Sequence, residues 1–239
     1  MTDLFALIHA PVLGPASWLP VAAELAAAGH PVTVPSLAGF TAAGPPYAPA
    51  LVALAARQLA PAARGADRVV LVVHSGAGPF AWSLAGAAGA AAAVIFADAG
   101  LPELAGPTPV VDDAFLPYLR GIAADGIVPA WPRWFPDADP AEVFPDEAAR
   151  AAVETDARPL PLAFFEENVP SAGPPAGGAG YLLFSGGYQR AAAQARQRGW
   201  PVRELPGSHL HSLVAPEQVA AAITGLAGLA GQAGQGGHS

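Results

Sequence analysis

The stretch that most constrains this chain is residues 67–88, DRVVLVVHSGAGPFAWSLAGAA. From Arg68 to Val73 it is almost entirely β-branched or leucine, with no polar alternation. That pattern fits a strand buried on both faces of a parallel sheet. His74-Ser75-Gly76-Ala77-Gly78 ends the strand sharply, and from Pro79 an Ala- and Leu-rich run to Ala88 reads as a helix, with proline tolerated in its first turn. A strand, a tight turn of small residues and a helix, with serine at the corner, form the layout of a nucleophile elbow. Such a corner puts Ser75 in a strained backbone conformation, for which Gly76, Ala77 and Gly78 leave room. It also aims the Gly76 N–H at the place where an oxyanion would form. The plainer alternative is an ordinary strand-to-helix turn with Ser75 as a helix cap. The elbow pattern also has glycine two places before the serine, where this chain has Val73.

A chain of 239 residues is long enough for one α/β domain with a large core, with or without an insertion. Hydrophobic residues make up 53% and charged residues 13%, so a packed core is expected, and the 27 Gly and 27 Pro then mark loops. The net charge of −8 without a basic cluster argues against a nucleic-acid partner. With no cysteine there is neither a disulfide framework nor a thiolate nucleophile. The start, MTDLFALIHAP, carries an acid and no basic segment, unlike a signal peptide. No run reaches the roughly 18 apolar residues that span a bilayer. A cytoplasmic protein is the expectation.

In chain order, strands are expected at residues 3–9, 30–35, 68–73, 91–97, 181–185 and 201–205. Helices are expected at 18–28 (capped by Ser17 and stopped by Gly29), 50–59, 79–88, 189–198 and from 216 to about 229. The alternation predicts an α/β fold: a doubly wound, mostly parallel sheet of about six strands with helices on both faces. Right-handed crossovers place the second strand on one side of the first and the rest on the other. Ligands bind where the winding reverses, between the loop at 10–15 and the elbow. Residues 1–100 and 179–230 would form the core, residues 101–178 a helical lid inserted after the fourth strand, and 231–239 a disordered tail. Helices at 112–124, 146–157 and 160–168 are expected in the lid. Its aromatic residues read mainly as a small core, with Trp131, Trp134, Phe164 and Phe165 as candidate pocket walls.

A serine nucleophile needs a base, and the base an orienting acid. The loop after the last strand, PGSHLHSLVAP, offers His209, with His211 as a packing or surface residue. The six histidines show no metal-ligand spacing. The partner expected is a small-molecule substrate, with no cofactor, metal, nucleic acid or membrane.

LIHAPVLGPASW, VVHSGAGP, the insertion at 101–178 and ELPGSHLHSLVAPEQVA together resemble the α/β-hydrolase superfamily, in its small-lid esterase and hydroxynitrile-lyase-like branch. The resemblance implies a triad in the order Ser, acid, His. The family's usual acid follows the next-to-last strand, where this chain reads Ser185-Gly186-Gly187-Tyr188. The alternative place known in the superfamily, the end of the strand after the elbow, holds Asp98, whose plainer reading is a loop cap; Glu166 and Glu167 are the next candidates. Ala10 replaces the family glycine, and Pro11 stands where a second oxyanion donor is common. Proline has no N–H, which leaves Val12 beside Gly76 as the expected donor. The resemblance implies a serine hydrolase for a small, mostly apolar ester, thioester or lactone. The alternatives are a lyase, isomerase or cyclase on the same scaffold, or a non-catalytic ligand-binding domain.

Overall fold

The computed structural model describes residues 2–89, 92–136, 139–170 and 172–235. Ala91, the expected start of the fourth strand, and residues 236–239 of the tail lie outside them. The central sheet contains β1 (Asp3–Ile8), β2 (Val32–Thr33), β3 (Arg68–His74), β4 (Ala92–Ala97), β5 (Ala179–Leu183) and β6 (Val202–Glu204). All neighbours run parallel, in the order β6-β5-β4-β3-β1-β2. The second strand therefore lies on one side of the first and the others on the opposite side, as right-handed crossovers require.

The sheet divides the core into two layers. Phe5, Leu7, Val70, Val72 and Ile95 face α1 (Leu19–Ala27) and α7 (Pro216–Gln235), meeting Val21, Leu25, Val219 and Ile223. The intervening Leu4, Ala6, Ile8, Val69, Leu71, Val73, Val94 and Phe96 face the other way. There they meet α2 (Tyr47–Ala63), α3 (Ala81–Ala88) and α6 (Gln189–Gln197). The four central strands, β1, β3, β4 and β5, bury both faces, which is why their sequences show no polar alternation, whereas the edge strands β2 and β6 are partly exposed. A fully buried Val or Leu contributes about 1.5–3 kcal/mol, so this double layer is the main source of stability. Among the described residues, no helix is long and apolar enough to cross a membrane.

Several local expectations shift. Ser17 does not cap α1: its hydroxyl donates to the Gly14 carbonyl at 2.8 Å inside the short turn Pro15–Ser17. The helix begins after Trp18, with Pro20 in its first turn. Gly29 does end it, at φ 87°. The final helix runs to Gln235, past the expected end near 229. Between β4 and β5 the helices are α4 (Leu116–Ile122) and α5 (Glu147–Asp156). The helix expected at 160–168 shrinks to the single turn Leu162–Phe165. Its flanks instead form antiparallel pairs, Leu160–Pro161 with Ile127–Val128 and Asn168–Val169 with Thr108–Pro109. That pairing takes backbone groups a longer helix would have used.

Of the elbow's small residues, Gly78 faces the tightest limit. A Cβ there would sit 1.9 Å from the Gly100 carbonyl oxygen, whereas one at Gly76 would meet nothing closer than Pro11 Cδ at 3.8 Å. Gly78→Ala is expected to lower stability by about 1–3 kcal/mol, read as a lower urea midpoint, with Gly76→Ala much milder. Equal midpoints for the two variants would contradict the close approach.

Candidate active site

The register of the sheet brings the site together. His74 at the end of β3 pairs with Ala97 at the end of β4, so the next residues, Ser75 and Asp98, leave adjacent strands at the same level. Both take the left-handed conformation that side chains rarely adopt, with φ 56° at Ser75 and 44° at Asp98. Ser75 opens the short helix Ser75–Phe80. The first N–H groups of a helix have no acceptor within it, which leaves the Gly76 N–H available beside the hydroxyl.

His209 lies between them. Its Nε2 is 2.9 Å from Ser75 Oγ, and its Nδ1 is 2.9 Å from Asp98 Oδ2. Asp98 is wholly buried, and its carboxylate is well supplied with donors. Oδ1 accepts the backbone N–H groups of Phe184 and Ser185 at 2.8 and 3.0 Å, and Oδ2 accepts the Ser185 hydroxyl at 2.5 Å. Burial pushes the Asp98 carboxyl up, but the bond to His209, its nearby charge and the Ser185 donors together hold it below the usual carboxylate value. Ser185 thus stands where the family commonly has its acid, and it binds the acid that arrives from the neighbouring strand.

The other carboxylate candidates have other partners. Glu166 pairs with Arg120 at 2.7 Å on the surface. Glu167 accepts the Tyr47 and Ala48 N–H groups at 2.7 Å each, capping α2 from a distant part of the chain. That tertiary cap accounts for α2 starting earlier than its local sequence suggests. His211 begins the turn His211–Val214 against the Phe184 ring, 5.6 Å between centroids, and its Nδ1 is buried without a partner among the described residues.

Two more histidines are sealed into the frame. Leu37 N–H donates to His9 Nε2 at 3.1 Å, so the ring proton is on Nδ1, which donates to the Ala10 carbonyl at 2.7 Å. His74 Nε2 donates to the His209 carbonyl at 3.0 Å, and its ring lies 4.5 Å from the His209 ring. The 10–13 turn is closed by Leu13 N–H on the Ala10 carbonyl at 2.9 Å, and Pro11 reaches the elbow beside Gly76. The Val12 N–H has no acceptor among the described residues. Asp156, at the end of α5, accepts the Ala16 N–H at 2.9 Å and packs against Gly14.

The aromatic candidates are mostly core. Trp134, Phe164 and Phe165 are buried, and Trp131 is half-buried. Among the described residues their ring contacts are with one another and with Phe40, Tyr47, Phe80, Phe115 and Phe144, and not with the His209 ring. A residue the sequence reading passed over reaches the centre instead. The Tyr188 hydroxyl is 3.2 Å from Ser75 Oγ, and its ring stacks on the His209 imidazole at 5.0 Å and 6°. Its signal in the sequence is an aromatic residue with a polar tip just after a buried strand, where the family's usual acid would stand.

Chemically, the arrangement can draw the Ser75 proton towards Nε2 while Asp98 fixes the imidazole tautomer and stabilises the imidazolium. The chain matches the model of the alpha/beta hydrolase family over residues 5–222. It belongs to that family and is an α/β-hydrolase. No curated protein matches its sequence. Solved structures share its fold at low identity. An extracellular α/β-hydrolase from a Paenibacillus species is 18% identical with a TM-score of 0.70, covering 93% of this chain and 98% of that one. Polyneuridine aldehyde esterase is 19% identical with a TM-score of 0.65, covering 95% and 99%. A pyrethroid hydrolase from Sphingobium faniae is 20% identical with a TM-score of 0.64, covering 95% and 97%.

The sealed histidines set a pH dependence. Burial, against the Ala10 contact, pushes His9 down to about 4; burial, aided by the charge of His209, pushes His74 down to about 3. The unfolded chain takes up these protons near the ordinary value of about 6.5, while the folded chain does not until pH reaches the depressed values. The unfolded state therefore binds more protons through this window, and stability falls as pH drops from about 6.5 towards 4. His9→Gln is expected to flatten that fall in urea midpoints; an unchanged slope would contradict the assignment.

Proposed function

We propose that the protein is a serine hydrolase for a small, mostly apolar carboxylic ester, thioester or lactone, working through a Ser75-His209-Asp98 triad under a lid formed by residues 101–178. The observation that carries this reading is the unbroken contact chain from Ser75 Oγ through both ring nitrogens of His209 to the buried Asp98, each link 2.9 Å. His209 Nε2 takes the Ser75 proton as Oγ attacks the carbonyl carbon. The carbonyl electron pair moves to oxygen, held by the N–H groups of Gly76 and Val12. The intermediate collapses, the alcohol or thiol leaves with the proton from His209, and the acyl group stays on Ser75. Water then attacks with His209 again as base, and the carboxylic acid departs. The esterase and pyrethroid hydrolase among the similar structures support an ester substrate.

Pro11 favours a second reading. Without the Val12 N–H as a substitute, the oxyanion would have one donor fewer than the family commonly has, and removing such a donor costs about 10²–10³ in rate elsewhere. A lyase, isomerase or cyclase that places less charge on a carbonyl oxygen would tolerate that loss.

A fluorophosphonate probe and p-nitrophenyl esters separate these outcomes. Ser75 is expected to be labelled, and Ser75→Ala to abolish both labelling and turnover with the thermal midpoint little changed. His209→Ala is expected to be nearly as damaging and His211→Ala mild, because triad members act as a unit. Asp98→Asn is expected to lower kcat by about 10³–10⁴ through the wrong imidazole tautomer, while Glu166→Gln and Glu167→Gln stay within a few-fold. A labelled serine without ester turnover would favour the second reading. An unlabelled, inactive wild type would point to a binding domain.

A further inference from the structure

Tyr188 sits on the reacting atom, and the direction of its hydrogen bond follows from its neighbours. Asp98, ionised and accepting from three other donors, also faces His209 Nδ1, so that nitrogen carries the ring proton. Acting as base, His209 must present a free Nε2, so in that state Nε2 accepts and the Ser75 hydroxyl donates to it. Oγ has no second proton to give. The 3.2 Å contact between Oγ and Tyr188 is therefore a phenol donating to the serine oxygen. Burial pushes the phenol up to about 12, against the pull of Ser75, so the proton is retained. Tyr188 belongs to the short turn Gly186–Tyr188, and its N–H donates to the Ser185 carbonyl at 3.3 Å. One short segment thus holds both ends of the relay, Ser185 on Asp98 and Tyr188 on Ser75.

We propose that Tyr188 is a further catalytic residue, donating a hydrogen bond to Ser75 Oγ that strengthens as negative charge builds on that oxygen. The inference rests on the reading of Ser75 as the nucleophile. During acylation His209 removes the Ser75 proton, and the phenol supports the charge on Oγ until its electron pair forms the bond to carbon. During deacylation Oγ is the leaving atom. The bond from carbon to Oγ breaks, the pair returns to Oγ under the same donor, and His209 gives back the proton. The Tyr188 proton stays on its own oxygen throughout. Hydrogen bonds to charged acceptors are about twice as strong as neutral ones, so the contact favours both transition states over the resting serine. The ring stacked on His209 keeps the imidazole plane aligned in the meantime.

The test is the pre-steady-state burst and steady-state turnover of p-nitrophenyl acetate by the full chain, with Tyr188→Phe and Tyr188→Ala beside wild type. Tyr188→Phe keeps the stacked ring and removes only the donor. It is expected to slow both burst and kcat about 10- to 100-fold with KM and thermal midpoint little changed, and Tyr188→Ala to be slower still. A Tyr188→Phe enzyme within twofold of wild type in both phases would overturn the role while leaving the labelled Ser75 intact. A wild type that neither labels nor turns over would overturn the hydrolase reading and this inference with it. Should Tyr188→Phe fail to fold, difluorotyrosine at position 188 takes its place as a stronger donor of the same shape. A faster burst is then expected, and an unchanged burst would overturn the proposal.

Discussion

A carboxylate removed from water is tolerated only where hydrogen bonds replace its hydration. Asp98 is such a group, and much of the site is arranged to satisfy it. Four donors meet it: two backbone N–H groups from the end of β5, the Ser185 hydroxyl and the His209 imidazole. Each comes from a different stretch of chain than Asp98 itself, so the carboxylate joins β4, β5 and the loop after β6. Removing one partner from a buried charge commonly costs about 3–5 kcal/mol, which makes the position of the His209 loop a condition of the fold as well as of chemistry. Tyr181 reinforces the junction, its hydroxyl donating to the Ala99 carbonyl at 2.8 Å and accepting the Ala99 N–H at 3.1 Å.

The strained residues at the strand ends follow from the same arrangement. Ser75 and Asp98 both turn out of β-geometry immediately after a hydrogen-bonded pair in the sheet. Left-handed backbone at non-glycine residues costs of order 1–3 kcal/mol and persists only where surrounding structure fixes it. Here the two-layer core and the close passage of Gly78 under Gly100 supply that constraint.

The legible part of this molecule was the part written in local pattern. Continuous apolar runs marked the central strands, because burial on both faces leaves a mark on every residue, and the crossover rule gave their arrangement. The meeting of Ser75 and His209 was readable from the one's place at a strand end and the other's in the loop after the last strand. Asp98 needed the added inference that Ser185 left the common acid position empty of a carboxylate. What escaped was tertiary. Nothing near Tyr47 in the sequence shows that Glu167 caps its helix, and nothing near Gly14 shows Asp156 pressed against it. Tyr188 escaped for a related reason: an aromatic residue at a buried strand end looks like core until its hydroxyl is placed. The Phe164 and Phe165 rings were the converse case, aromatic residues that pack on each other and on Phe80.

Asp156 and Glu167 have one further consequence. Both lie in the segment between β4 and β5, and both spend their carboxylates on the first turns of core elements, at Ala16 and at Tyr47 and Ala48. The segment is therefore not an independent cassette. A chimera that replaced residues 101–178 with the corresponding stretch of another hydrolase would strip α2 of its cap and the turn before α1 of its acceptor. A graft that carried acids at the places of Asp156 and Glu167 would keep those bonds, so in this scaffold two side chains are among the contacts a transplanted piece has to reproduce.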